Sequence, residues 1–147
     1  MVRFITLGFK LKKHKQSLSE LIAQAKLAFE NAYAPYSQFK VGASAITCTG
    51  QVFSGCNVEN ASYGLTVCAE RNCIAQAVVA GHTRFNHLVI YTEQERLTPP
   101  CGACRQVITE FFNRDAHITA VNHLGEQHTW QVNAILPDAF TPDFLKG

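Results

Sequence analysis

Cys68-Ala69-Glu70 and Pro100-Cys101-Gly102-Ala103-Cys104 decide how the chain must fold, because the three thiols and one carboxyl they hold can act together only if the fold brings them together. Ile74, Ala75, Ala77, Val78 and Val79 follow the first stretch as a largely apolar helix, stopped by Gly81 just past its end. Val107, Ile108, Phe111 and Phe112 line a second helix that ends before Asn113, and Pro99-Pro100 forbids helix before Cys101. Both cysteine stretches therefore stand at helix starts, where free amides and the positive end of the helix dipole stabilise thiolates. Helix starts in successive strand-helix units lie at the same edge of a sheet, so Cys68 can converge with Cys101 and Cys104.

The rest of the chain supplies that alternation. Ser17 opens a capping box with Glu20, and Leu18, Leu21, Ile22, Ala25, Ala28, Phe29 and Ala32 follow at helical spacing, which predicts a helix running to about Asn31. Ala34-Pro35-Tyr36 ends it, since a residue before proline is pushed out of helical conformation. Two β-prone runs over 40–47 and 51–57, joined at Thr49-Gly50, predict an antiparallel hairpin. The second run delivers Asn57-Val58-Glu59-Asn60 to its end, either an ordinary surface loop or a ligand grip at the end of a strand. Short strands are predicted at 88–91 and 117–121, with Gly125 separating the latter from a strand at 129–132. The order helix, hairpin, helix, strand, helix, strand, strand implies an α/β fold: three layers, with a mixed five-stranded sheet between helices.

The 147 residues, 47% of them hydrophobic, suit one globular domain over 17–147. Residues 1–16 form a leader in which Phe4, Ile5, Leu7 and Phe9 precede Lys10, Lys12, Lys13, His14 and Lys15; it reads as a solvated lead into the first helix or as an anion-binding patch. A formal charge of +2 gives no field to hold a polyanion, so nucleic acid is not an expected partner. The apolar runs fall far short of the roughly 20 residues a membrane span needs, and residues 1–9 lack signal-peptide character, so a cytoplasmic location is expected. Six cysteines in such a chain are expected as thiols or metal ligands rather than disulfides.

Cys101-x-x-Cys104 alone could be a redox couple, but that leaves the second cysteine motif and its carboxyl without a role. Three thiolates with one open position make a catalytic zinc site. A closed four-cysteine structural site is the alternative, with Cys56 as the serious fourth ligand. Cys73 points about 140° away from Cys68 around a helix, and Cys48 near the hairpin turn reads as a small hydrophobe. Glu70 would stand beside the ion and exchange protons with an activated water, unless it is only a first-turn acid favoured by the dipole. Arg71 could offset the thiolate charge by donating to the sulfurs, or it could be an exposed arginine.

Cys-Ala-Glu followed by Pro-Cys-x-x-Cys is the zinc deaminase signature, and further stretches narrow the likeness. Ala34-Pro35-Tyr36-Ser37-Gln38-Phe39-Lys40-Val41-Gly42-Ala43, Gly55-Cys56-Asn57-Val58-Glu59-Asn60-Ala61-Ser62-Tyr63-Gly64, Cys68-Ala69-Glu70-Arg71, Pro100 to Gln106, and Leu136-Pro137-Asp138-Ala139-Phe140 all resemble segments of the small homotetrameric cytidine deaminases. The resemblance implies the cytidine-deaminase-like fold, one zinc per subunit on Cys68, Cys101 and Cys104, and Glu70 as proton shuttle. It implies hydrolytic attack of a metal-activated water on C4 of cytidine or deoxycytidine, giving uridine or deoxyuridine and ammonia, a pyrimidine salvage reaction. It further implies that Asn57 and Glu59 hold the ribose 3′-hydroxyl, that Phe39 packs beside the nucleoside, and that the Ala69 amide meets the base carbonyl. Tyr63 and Phe140 would complete a neighbouring subunit's site in a homotetramer. Pro99 stands where the family usually has Ser, yet keeps the carbonyl that can accept a hydrogen from the amino group. A blasticidin-type deaminase, a polynucleotide deaminase and a zinc-stabilised binding module are the competing readings.

Overall fold

The computed structural model of the chain describes residues 17–146, so the basic leader at 1–16 lies outside the described residues. Helix α1 (Leu18–Glu30) starts at the expected capping box: the Glu20 amide donates to Ser17 Oγ at 3.3 Å and the Ser17 amide donates to Glu20 Oε2 at 2.8 Å. Its Leu21, Ala25 and Phe29, spaced by four residues, are buried on one stripe. The hairpin follows as β1 (Gly42–Thr47) and β2 (Val52–Cys56), with Gly50 taking the positive φ of 90° that its turn requires. Then come α2 (Ala69–Val79), β3 (Phe85–Thr92), α3 (Gly102–Phe111), β4 (Phe112–Asn122), β5 (Gln127–Gln131) and a single turn of helix, α4 (Val132–Ile135).

The five strands lie in the order β2-β1-β3-β4-β5. Strand β1 runs antiparallel to both β2 and β3, β3 and β4 are parallel, and β5 is antiparallel to β4. The mixed sheet is packed on both faces. Alternate residues of β3 separate the two cores: Val89 and Tyr91 meet Leu21, Ala25 and Phe29 of α1, whereas Leu88 and Ile90 join Ile74 of α2, Ile108 of α3 and Val132 of α4. Burial on both sides explains why Leu88 to Tyr91 of β3 reads as an unbroken apolar run.

This topology places the two cysteine stretches. Strands β2 and β3, both antiparallel to β1, point the same way, so α2 and α3 start beyond the same edge of the sheet. Of the boundaries that differ from the sequence reading, two have a clear physical cause. Strand β4 begins five residues early, directly after α3, because Phe112 stacks on Phe85 of β3 with ring centroids 5.0 Å apart and pairs with it before a register shift. The exposed Asn113, Arg114 and Asp115 hide that pairing in the sequence. Val132, read as the end of a strand, instead opens α4 and is buried among the second core.

Helix α2 is pressed onto β2 at Gly55. A Cβ there would lie 2.4 Å from the Cys73 amide nitrogen and 2.8 Å from the Ala69 carbonyl oxygen, both backbone atoms. Gly55→Ala must therefore push away the helix that carries Cys68 and Glu70. A loss of about 1–3 kcal/mol is expected, seen as a lower Tm with a matching fall in activity; an unchanged melt would show that the contact yields freely.

Candidate active site

Cys68 and Cys101 occupy the N-cap positions of α2 and α3, both with extended backbone and neither capping its own helix with its side chain. Their sulfurs turn to each other instead, at 3.8 Å. Cys104 sits in the first turn of α3, buried, and the three sulfurs lie within 4.8 Å of one another. A tetrahedral zinc about 2.3 Å from each sulfur sets its ligands about 3.8 Å apart, so the spacing fits the ion. Among the described residues this is the one such cluster of metal-ligating side chains. Cys56 is not part of it, and Cys73 is buried on the far side of α2, where its thiol donates to the Phe53 carbonyl at 3.3 Å and burial pushes it up to about 12.

The protons on the three thiols sort unequally. The neighbouring Cys104 thiol, with Arg71 helping against the opposing effect of burial, pulls Cys68 down to about 5. Cys68 in turn, together with burial, pushes Cys104 up. A divalent ion is what lets all three sulfurs ionise together. Arg71 Nη2 donates to Cys68 Sγ at 3.6 Å and to the Thr66 carbonyl at 3.4 Å, placing its charge on the cluster.

Glu70, in the first turn of α2, is 5% exposed. Burial, aided by the Cys68 charge, raises its carboxyl from 4.5 to about 7 despite its own backbone amide. It lines a cavity of about 220 Å³ together with Phe39, Asn57, Cys68, Ala69, Pro99 and Cys101. Two further lining residues, Ser37 and Thr66, are shared with a second cavity of about 380 Å³ lined also by Tyr36, Glu59 and Tyr63. Asn57 is held from both ends: its Oδ1 accepts from the Val41 amide at 2.8 Å and its Nδ2 donates to the Phe39 carbonyl at 2.8 Å.

Of the residues singled out from sequence, Phe39, Asn57, Cys68, Ala69, Glu70 and Cys101 meet in one cavity, with Cys104 beneath it and Glu59 and Tyr63 on the adjoining one. Phe140 lines neither; it is 58% exposed and stacks on Phe144 at 5.6 Å. Sequence reasoning passed over Ser37, Thr66 and Thr98, which are small polar residues without spacing to mark them. It also missed Arg105, whose Nε donates to the Pro100 carbonyl at 2.8 Å and whose Nη1 donates to the Ile135 carbonyl at 3.0 Å.

A buried carboxyl beside three converging sulfurs, lining one cavity at a sheet edge, is the architecture of a metal-dependent hydrolytic deaminase. Residues 15–121 match the family model for the cytidine and deoxycytidylate deaminase zinc-binding region, and the chain belongs to that family. It is 41% identical over 128 residues to the cytidine deaminase of Sporosarcina psychrophila, covering 87% of this chain and 94% of that one. The cytidine deaminase of Halalkalibacterium halodurans is 42% identical over 123 residues, covering 84% and 93%. The crystal structure of cytidine deaminase from Burkholderia pseudomallei superposes with a TM-score of 0.82 at 45% identity, over 85% of this chain and all of that one.

Proposed function

We propose that the protein catalyses zinc-dependent hydrolytic deamination of cytidine and deoxycytidine to uridine and deoxyuridine, releasing ammonia. The observation that carries this reading is the buried Glu70 carboxyl facing the same cavity as the Cys68 and Cys101 sulfurs. Zinc, when held by Cys68, Cys101 and Cys104, supplies Lewis-acid activation of water. Glu70 accepts a proton from the water, delivers one to N3 of the ring, and then carries one to the departing amine. The Ala69 amide donates to the base carbonyl, and the Pro99 carbonyl accepts from the amino group. Phe39 packs beside the nucleoside. Asn57 and Glu59 take the 3′-hydroxyl, Asn57 with the Nδ2 hydrogen not used on Phe39. Arg71 keeps the thiolates from cancelling the ion's charge.

Tyr63, Phe140 and Phe144 are 75%, 58% and 72% exposed in the single chain, a large aromatic area to leave in water, which supports their service in neighbouring subunits' sites within a homotetramer. All six cysteines are free thiols, and no described helix is long and apolar enough to cross a membrane, which supports work in the reducing cytoplasm.

The test is the fall in absorbance with cytidine, deoxycytidine, cytidine monophosphate and single-stranded DNA, repeated on dilution. The two nucleosides should react fastest, because a 3′-hydroxyl buried between Asn57 and Glu59 leaves no path for a continuing strand, and specific activity should fall as the oligomer dissociates. Zinc retained without turnover of any of these substrates would leave a binding module instead.

A further inference from the structure

Ser37 joins two walls of the cavity through its hydroxyl. Its hydroxyl donates to Glu59 Oε1, and the same oxygen accepts from the Phe39 amide at 3.0 Å. Glu59 Oε2 accepts from the Tyr36 amide at 2.9 Å and the Ser37 amide at 3.2 Å. The carboxylate, only 9% exposed, thus spends three of its roughly four acceptor positions on this turn. One position is left, and a lone hydroxyl can fill it.

The turn itself does not relax into this shape unaided. Gln38 adopts φ 58°, a left-handed conformation unusual for a residue with a side chain, pinned by its amide on the Ala34 carbonyl at 3.0 Å and its Nε2 on the Pro35 carbonyl at 2.9 Å. Glu59 and Asn57 clasp the two ends of the segment, Glu59 at Tyr36 and Ser37, Asn57 at Phe39 and Val41. Ser37 lines both cavities at their junction.

We propose that Ser37 is a positioning residue that sets recognition of the sugar 3′-hydroxyl: it fixes the orientation of the Glu59 carboxylate so that its one free acceptor position faces the nucleoside, and it ties that carboxylate to Phe39. The inference rests on Glu59 as the sugar-hydroxyl contact. The Ser37 hydroxyl, with the Tyr36 and Ser37 amides behind it, also holds Glu59 below the usual carboxylate range, so the charge that accepts the hydroxyl is kept. Without the Ser37 hydroxyl, Oε1 is free to rotate toward water or to swing with the loosened Phe39.

The experiment compares kcat/KM for cytidine with that for 3′-deoxycytidine, the same base without the hydroxyl. In the wild type the ratio should be about 10²-fold or more, since a site that hydrogen-bonds a hydroxyl leaves polar groups unpaired when it is missing. Ser37→Ala should reduce the ratio about tenfold, the scale of one hydrogen bond to a charged group, mainly through a higher KM for cytidine, with 3′-deoxycytidine little changed. Ser37→Thr, which keeps a hydroxyl, should hold the ratio near the wild-type value. Should the alanine variant fail to fold, Ser37→Gly keeps both turn amides and is read in the same way. A turn that only supports the cavity wall would slow both nucleosides equally, so an unchanged ratio in Ser37→Ala overturns the role of Ser37. A wild-type ratio near one overturns the Glu59 contact itself, and the two failures are thereby told apart.

Discussion

Glu70→Gln should lower kcat by about 10²–10⁴, the range a positioned proton-transfer group contributes, while the protein keeps its zinc. The substitution preserves the shape of the side chain and removes only its ability to gain and lose a proton, so metal content measured beside the absorbance assay separates the two roles. Turnover within tenfold of wild type would exclude Glu70 as the shuttle. The same variant reports on the cost of burying the acid. In zinc-stripped protein the folded state holds the Glu70 proton until about 7, whereas the unfolded chain releases it near 4.5. Below both values the carboxyl is neutral in either state and burial costs nothing of this kind; as pH rises through the window the folded state loses ground, and above about 7 the loss is complete. The zinc-stripped glutamine variant should therefore become the more stable of the two between about pH 5 and pH 8, by at most about 3 kcal/mol. Parallel melting curves of both stripped proteins across that range would test the sign.

Cys101→Ala should abolish zinc retention and reduce kcat/KM by about 10³-fold or more, because the several kcal/mol a bound metal contributes to the transition state are lost together with the metal. Its Tm should fall to that of chelator-treated wild type, since metal binding to a folded site is folding energy. Cys48→Ala is the matched control: Cys48 is exposed and donates only to Asn86 Oδ1 at 3.1 Å, so both zinc and Tm should be unchanged. An active, zinc-free Cys101→Ala protein would contradict the ligand assignment.

The legible parts of the sequence were those with a local cause. Ser17 and Glu20 announce α1 because each satisfies the other's amide, and Pro99-Pro100 leaves Cys101 no choice but to stand outside a helix that starts after it. Gly50 and Gly81, both at positive φ, mark their turns for the same reason. The parallel pairing of β3 with β4, and the central place of β3 between β1 and β4, depend on which faces of distant strands are apolar, and no single stretch states that. Phe112 is the sharpest instance: its partner Phe85 lies 27 positions earlier, and polar neighbours mask the strand it begins. In the site, Cys68, Glu70, Cys101 and Cys104 were readable from chemistry and spacing. Ser37 was not, since its importance comes from a carboxylate 22 residues away that only the folded turn brings to it.

Arg105 holds the carbonyl just before Cys101 with one nitrogen and the Ile135 carbonyl with another. On the ribosome this sets an order of events. Cys68 emerges 33 residues before Cys101, but the residue that secures the second cysteine's loop cannot complete its grip until Ile135 has cleared the exit tunnel. A nascent chain stalled short of that point carries all three sulfurs yet lacks one of the braces for their loop.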